Sequence, residues 1–107
     1  MLPSKKRLSP KEIKKVLDIG TKYRGKYGML VSIPSNKDND EFAFVVSKKV
    51  GNAVQRHKMT RLLRESTKDL KSKKNIKGVY VAFKYCDEYE KIKEEFKSQY
   101  VKATRDI

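Results

Sequence analysis

The chain predicts a two-layer α/β (α+β) sandwich in which helices cover a small mixed sheet, and three observations carry that prediction. A strong helix-start signal opens the chain at Leu8-Ser9-Pro10-Lys11-Glu12-Ile13, and period-two runs follow around residues 27–33, 42–47 and 79–85. Between the second and third runs lies one long amphipathic stretch of helical period, and another closes the chain. With 107 residues the chain is read as one domain, residues 1–107, large enough for a single core.

Ser9 is placed as N-cap of the first helix, Pro10 as its first residue and Glu12 as the partner of a capping box, with Leu8 stapling Ile13. Ile13, Val16 and Leu17 share one face, and Gly20 stops the helix. Thr21 to Arg24 add a short strand before Gly25. Tyr27, Met29, Val31 and Ile33 then alternate with Gly28, Leu30 and Ser32, and residues 34–40 read as a polar hairpin loop. Phe42, Phe44 and Val46 alternate with Ala43, Val45 and Ser47; with apolar residues on both faces, this strand is expected to be central. A basic helix follows from about Asn52 to Lys71, with Asn52 as N-cap and Gly51 supplying the turn. Residues 71–75 form a linker and residues 79–85 a further strand. Asp87 with Glu90 then repeats the capping-box pattern before a last helix whose apolar stripe is Tyr89, Ile92, Phe96, Tyr100 and Ala103.

The basic helix carries the most information. With Val50 at zero and 100° per residue, His57, Arg61, Arg64 and Lys68 fall within about 40° of one line, while Met59, Leu62, Leu63 and Leu70 lie opposite, between about 120° and 220°. A charge run on a helix is often no more than a solvated face. Here only Glu65 and Asp69 stand nearby as counter-charges, whereas a helix selected for solubility alternates signs to gain i,i+4 pairs.

Charge over the whole chain agrees. Lys plus Arg exceed Asp plus Glu by 27 − 13 = 14, and the excess lies in residues 1–86, at 22 − 7 = +15, leaving residues 87–107 at 5 − 6 = −1. Such self-repulsion is offset by an anionic partner, most commonly nucleic acid. A membrane is not expected as that partner, since no run approaches the roughly 18 apolar residues of a span. The basic Met1–Arg7 stretch lacks a following apolar region, so no signal peptide is expected. Cys86, the one cysteine, is read as a buried small hydrophobe in a cytoplasmic protein.

Catalytic chemistry is scarce. Asp38, Asp40 and Glu41 form a carboxylate cluster that a polar loop explains better than metal binding, and Asp87, Glu88 and Glu90 suit a helix N-terminus. No catalytic residue and no protein metal site is assigned. His57, the single histidine, sits on the cationic stripe and is read as a phosphate or base contact. Gly51 allows close backbone approach beside the unpaired amides of a helix N-terminus, so two anion-binding elements adjoin. The flanking strands argue against a DNA-reading helix-turn-helix, and no aromatic RNA-recognition signature is present.

From Ser47 to Glu65, Ser-Lys-Lys-Val-Gly-Asn-Ala-Val-Gln-Arg-His-Lys-Met-Thr-Arg-Leu-Leu-Arg-Glu, the sequence resembles the protein component of bacterial ribonuclease P. Length, charge and element order agree over essentially the whole chain. The resemblance implies an αβββαβα order with a left-handed βαβ crossover, an exception to the usual hand. It implies a protein subunit that promotes endonucleolytic removal of the 5′ leader of precursor tRNA, the chemistry being carried by a large RNA subunit with bound Mg²⁺. The protein would act as a monomer in a one-to-one complex with that RNA.

On the same resemblance Lys48, Lys49, Asn52, Arg56, Lys58, Arg61 and Arg64 would contact the RNA subunit, with His57 and Lys68 completing the stripe. A cleft between the first helix and the sheet would hold the single-stranded leader. Positions where relatives carry rings are Ile13, Leu17 and Val31 here, so base stacking there is expected to be weaker; Tyr23 and Tyr27 stand nearby as substitutes. Ile13 and Leu17 fit ordinary helix packing equally well. His57, Lys58 and Thr60 replace the family's Asn, Arg and Lys, and Lys58 keeps the charge without the bidentate geometry of a guanidinium. The alternative function is a ribosomal-type binder of structured RNA with no role in cleavage.

Overall fold

The computed structural model describes residues 8–35, 40–68, 70 and 74–105. In order these form α1 (Pro10–Ile19), β1 (Thr21–Arg24), β2 (Gly28–Ser35), β3 (Glu41–Val45), α2 (Ala53–Thr67), β4 (Asn75–Ala82) and α3 (Tyr89–Arg105). The αβββαβα order is the expected one. The four strands make one mixed sheet in the order β1-β2-β4-β3, in which β4 pairs antiparallel with β2 and parallel with β3.

That order corrects two expectations. β4 lies between β2 and β3, so the loop after Pro34 does not close a hairpin; its residues 36–39 fall outside the described set. β3 is an edge strand, not a central one. It is apolar on both faces because both faces of the sheet carry a core: Phe42 and Phe44 join the α2/α3 side, Ala43 and Val45 the α1 side. Its outer edge is partly occupied, since the Leu8 amide donates to the Phe42 carbonyl at 3.3 Å.

α1 begins as the sequence foretells. Ser9 and Glu12 form a complete capping box behind Pro10, and Leu8 and Ile13 pack in the same cluster. Gly20 ends the helix with extended backbone, its amide donating to the Val16 carbonyl at 2.7 Å. A side chain at Gly20 would collide with Val16 and Val31, so close approach to β2 fixes the glycine there. Glu12 also pairs with Lys77 of β4 at 2.7 Å, both side chains being mostly covered, which ties the start of α1 to the sheet. That hydrogen bond holds the Glu12 carboxyl at a pKa of about 2 and raises that of Lys77.

The opposite face holds the larger core: Leu30, Phe42, Ile76 and Tyr80 from the sheet, Met59 and Leu63 from α2, Ile92, Phe96 and Tyr100 from α3. Phe96 packs against Phe42, Phe44 and Tyr80 with ring centroids 5.6, 6.2 and 5.6 Å away. Polar contacts fix α3 within this core. Glu95 accepts from the amides of Lys26 and Tyr27 and, at 2.7 Å, from the Tyr80 hydroxyl. Gln99 donates to the Tyr23 and Gly28 carbonyls at 2.9 and 3.1 Å. The β1–β2 turn is therefore clamped by one carboxylate and one amide, and a side chain at Gly25 would strike both. Asp40 does similar work at the other end of the sheet, accepting from Tyr100 at 2.6 Å and from the Ile76 amide at 2.9 Å. Burial and these carboxylate bonds push both tyrosine hydroxyls above the usual phenol range.

Three boundaries move. β4 starts at Asn75 and ends at Ala82, because Phe83 and Lys84 turn away to donate to the Tyr27 carbonyl. α2 ends at Thr67, short of Lys71; Asp69 and residues 71–73 lie outside the described set. The Asp87–Glu90 capping box does not form. α3 starts at Tyr89, where Lys91 and Ile92 donate to the Glu88 carbonyl, and Asp87 is turned toward Lys58 instead. Cys86 is buried, as expected.

Glu95→Ala leaves the Tyr80 hydroxyl and the Lys26 and Tyr27 amides without their shared acceptor and is expected to cost about 1–3 kcal/mol in urea unfolding. The Glu12 pair sets an acid limit. Its carboxyl titrates lower folded (about 2) than unfolded (4.5), so the unfolded chain binds the extra proton and stability falls as pH drops through that window. Glu12→Gln should flatten the pH dependence of stability between about 4.5 and 2, measured by urea midpoints across that range.

Candidate nucleic-acid interface

α2 is positioned by its two sides. Met59, Leu63 and Ser66 are buried against α3 and the sheet, so the helical period turns His57, Lys58, Arg61 and Lys68 outward. All four are exposed, and Arg56 and Arg64 are half-buried on the flank. The loop that leads in, Ser47–Asn52, leaves Lys48 and Lys49 exposed and is pinned by buried Val50. The stripe read from the sequence is thus one physical face.

Pairing divides it. Lys58 approaches Asp87 at 3.6 Å and Lys68 pairs with Glu65 at 3.0 Å. Exposed pairs of this kind contribute little and are readily exchanged for another anion. Lys48, Lys49, Arg56, His57, Arg61 and Arg64 have no ion-pair partner among the described residues. Arg56 also keeps its Nε buried with no hydrogen-bond partner.

Asn52 has a structural duty that goes beyond the expected N-cap. Its Oδ1 accepts from the Gln55 amide at 2.9 Å, and Gln55 Oε1 accepts from the Asn52 amide at 3.0 Å, a full capping box. The box leaves the Ala53 and Val54 amides at the helix tip facing outward. Gly51 lies next to the Ser47–Val50 turn without a positive φ; a side chain there would strike the capping Gln55.

The second candidate surface lies on the α1 side of the sheet, where strand register arranges the side chains in rows. Val31, Val79 and Ala43 form the middle row and are buried beneath Val16 of α1. Ile33, Lys77 and Glu41 form the row under the start of α1. The remaining row, Arg24, Met29, Val81 and Val45, is only partly covered. This open row and the flank of α1 make the cleft.

Of the expected cleft residues, Ile13 and Leu17 are half-buried on the α1 side of the sheet, next to the middle row. Val31 is fully buried and offers no surface to a ligand. Tyr23 and Tyr27 pack in the cluster on the opposite face, so neither substitutes for a ring in the cleft. Tyr23 stands opposite Leu30 in the β1–β2 pairing and shares its face. The half-buried floor, Met29, Val45 and Val81, went unassigned in the sequence because only strand register separates it from Val31, Ala43 and Val79.

Among the described residues, no group of three or more His, Cys, Asp or Glu is arranged to hold a metal ion, and no helix is long and apolar enough to cross a membrane. Fold and face together define a small basic α+β protein with a largely unpaired cationic helix face on one side of its sheet and a partly covered apolar row on the other.

Comparison with known proteins narrows that class. A family model described as Ribonuclease P matches residues 2–104. The ribonuclease P protein component of Dehalococcoides mccartyi strain CBDB1 is 37% identical over 71 residues, 66% of this chain and 59% of its own length. The corresponding protein of Fusobacterium nucleatum is 35% identical over 54 residues, 50% of this chain and 49% of its own. The chain thus spans 59% or less of the curated relatives cited. The fold is that of the Staphylococcus aureus RNase P protein (TM-score 0.75, 23% identity, 97% of this chain and 93% of that one) and of the Thermotoga maritima RNase P protein (TM-score 0.68, 20% identity, 94% and 96%). The chain belongs to the ribonuclease P protein family.

Asn52→Ala removes half of the capping box and is expected to destabilise the protein by about 1 kcal/mol. Arg61→Ala, on the exposed stripe, should stay within about 0.5 kcal/mol of the parent. Urea denaturation of the two variants side by side checks both.

Proposed function

We propose that this chain is the protein subunit of a ribonuclease P ribonucleoprotein, which removes the 5′ leader of precursor tRNA. The carrying observation is the set of cations on and leading into α2 that have no ion-pair partner among the described residues: Lys48, Lys49, Arg56, His57, Arg61 and Arg64. Cations held apart from counter-charges on a rigid helix suit a phosphate backbone, whose bound counterions they release. Lys58 and Lys68 join by exchanging Asp87 and Glu65 for phosphates, and Asn52 joins through its amide nitrogen while its oxygen keeps the cap.

The single-stranded leader lies along the open row beside α1, where Met29, Val45 and Val81 meet base faces and Ile13 and Leu17 form the wall. On this reading Mg²⁺ is held by the RNA subunit, which carries the hydrolysis. The protein contributes charge neutralisation and leader binding, as a monomer in a one-to-one complex in the cytoplasm.

Reconstitution tests this directly. Added to a bacterial ribonuclease P RNA at low Mg²⁺, the protein should raise cleavage of a leader-bearing precursor and favour it over mature tRNA. A ribosomal-type binder would bind RNA with neither effect. Arg61→Ala and Arg64→Ala should each weaken binding to the RNA subunit and lower the slope of log affinity against log salt by roughly one. A slope unchanged in both variants would remove these residues from the interface.

A further inference from the structure

The aromatic ring for the cleft comes from a position just past the end of β4. Phe83 is the one aromatic residue classed as exposed among the described residues, at 39%. The Arg24 guanidinium lies 5.1 Å from its ring centroid. Arg24 is itself the first member of the open row, opposite Met29, which is opposite Val81. The ring therefore stands at the end of the half-buried apolar floor.

Its surroundings are cationic. Lys22, Arg24 and Lys84 are all exposed and have no ion-pair partner among the described residues. Because β3 and β4 run parallel, the Lys48–Lys49 loop leaves the sheet at this same end. Phe83 is held in place, since its amide donates to the Tyr27 carbonyl at 2.7 Å. A solvent-facing ring with a guanidinium over it, next in the chain to Lys84 and beside the strand that carries Lys22 and Arg24, suits a nucleobase with its phosphates.

We propose that Phe83 is a base-stacking residue for single-stranded RNA, with Arg24 holding the ring and meeting the adjoining phosphate. This rests on the reading of the open row as the leader cleft and names the side chain that grips one nucleotide in it. The effect belongs to the leader, and so to precursor rather than mature tRNA.

The chain has no tryptophan, so Phe83→Trp introduces a single indole reporter. In the reconstituted holoenzyme its fluorescence should be quenched by leader-bearing precursor tRNA and not by mature tRNA, and the preference for precursor should match the parent. Phe83→Leu keeps apolar volume without a ring, and its preference for precursor over mature tRNA should fall about tenfold, within the range for one base-aromatic stack. If the parent shows the preference and Phe83→Leu keeps all of it, the stacking role is overturned while the leader cleft stands. Equal quenching by precursor and mature tRNA also overturns it. If the parent itself shows no preference, the cleft reading falls and this inference with it.

Discussion

The parallel pairing of β3 with β4 is the constraint on which the rest depends. Parallel neighbours cannot be joined by a tight turn, and the chain between Val45 and Asn75 must cross over the sheet. It does so as α2, on the face that also receives α3, and their apolar sides with Leu30, Phe42 and Tyr80 make the main core. Only α1 is left for the other face, and one short helix covers two of its three side-chain rows. A cationic helix on one side and a partly covered apolar row on the other are two results of one connection. They adjoin at the end of the sheet where β3 and β4 both leave it.

Hydrogen bonds then fix what the topology allows. The Ser9–Glu12 box and the Glu12–Lys77 pair seat the start of α1, and the Asn52–Gln55 box sets the start of α2. Glu95, Gln99 and Asp40 lock the sheet to α3 and the loops around it. Apart from the Glu12–Lys77 pair, each set joins a side chain to backbone at a helix end, a turn or a strand end. The cationic surface can therefore carry unpaired charge without contributing to stability, because the contacts that hold the fold lie elsewhere.

What was legible in the sequence follows the same division. Local signals were readable: the capping box of α1, the alternation in β2 and β3, the two sides of α2. Long-range relations were not. β3 read as central because apolar residues on both faces cannot reveal that β4 inserts between β2 and β3. Asp87 read as a cap because its partner Lys58 lies 29 residues away (87 − 58), and no local signal marks Glu95 and Gln99 for the β1–β2 turn some seventy residues earlier. The cationic stripe needed only the helical period and was found, whereas the cleft depends on strand register. Hence Val31, Tyr23 and Tyr27 were proposed for it and Met29, Val45, Val81 and Phe83 were not.

The central claim is that charge left unpaired on the α2 side is kept for RNA. Lysine modification of the full chain, read residue by residue with and without a ribonuclease P RNA subunit, measures this most directly. The account predicts strong protection of Lys48 and Lys49 and release of Lys58 from Asp87 into the protected set, with Lys97 and Lys102 on the outer side of α3 still reactive. Protection confined to Lys97 and Lys102, with Lys48 and Lys49 unchanged, would contradict it.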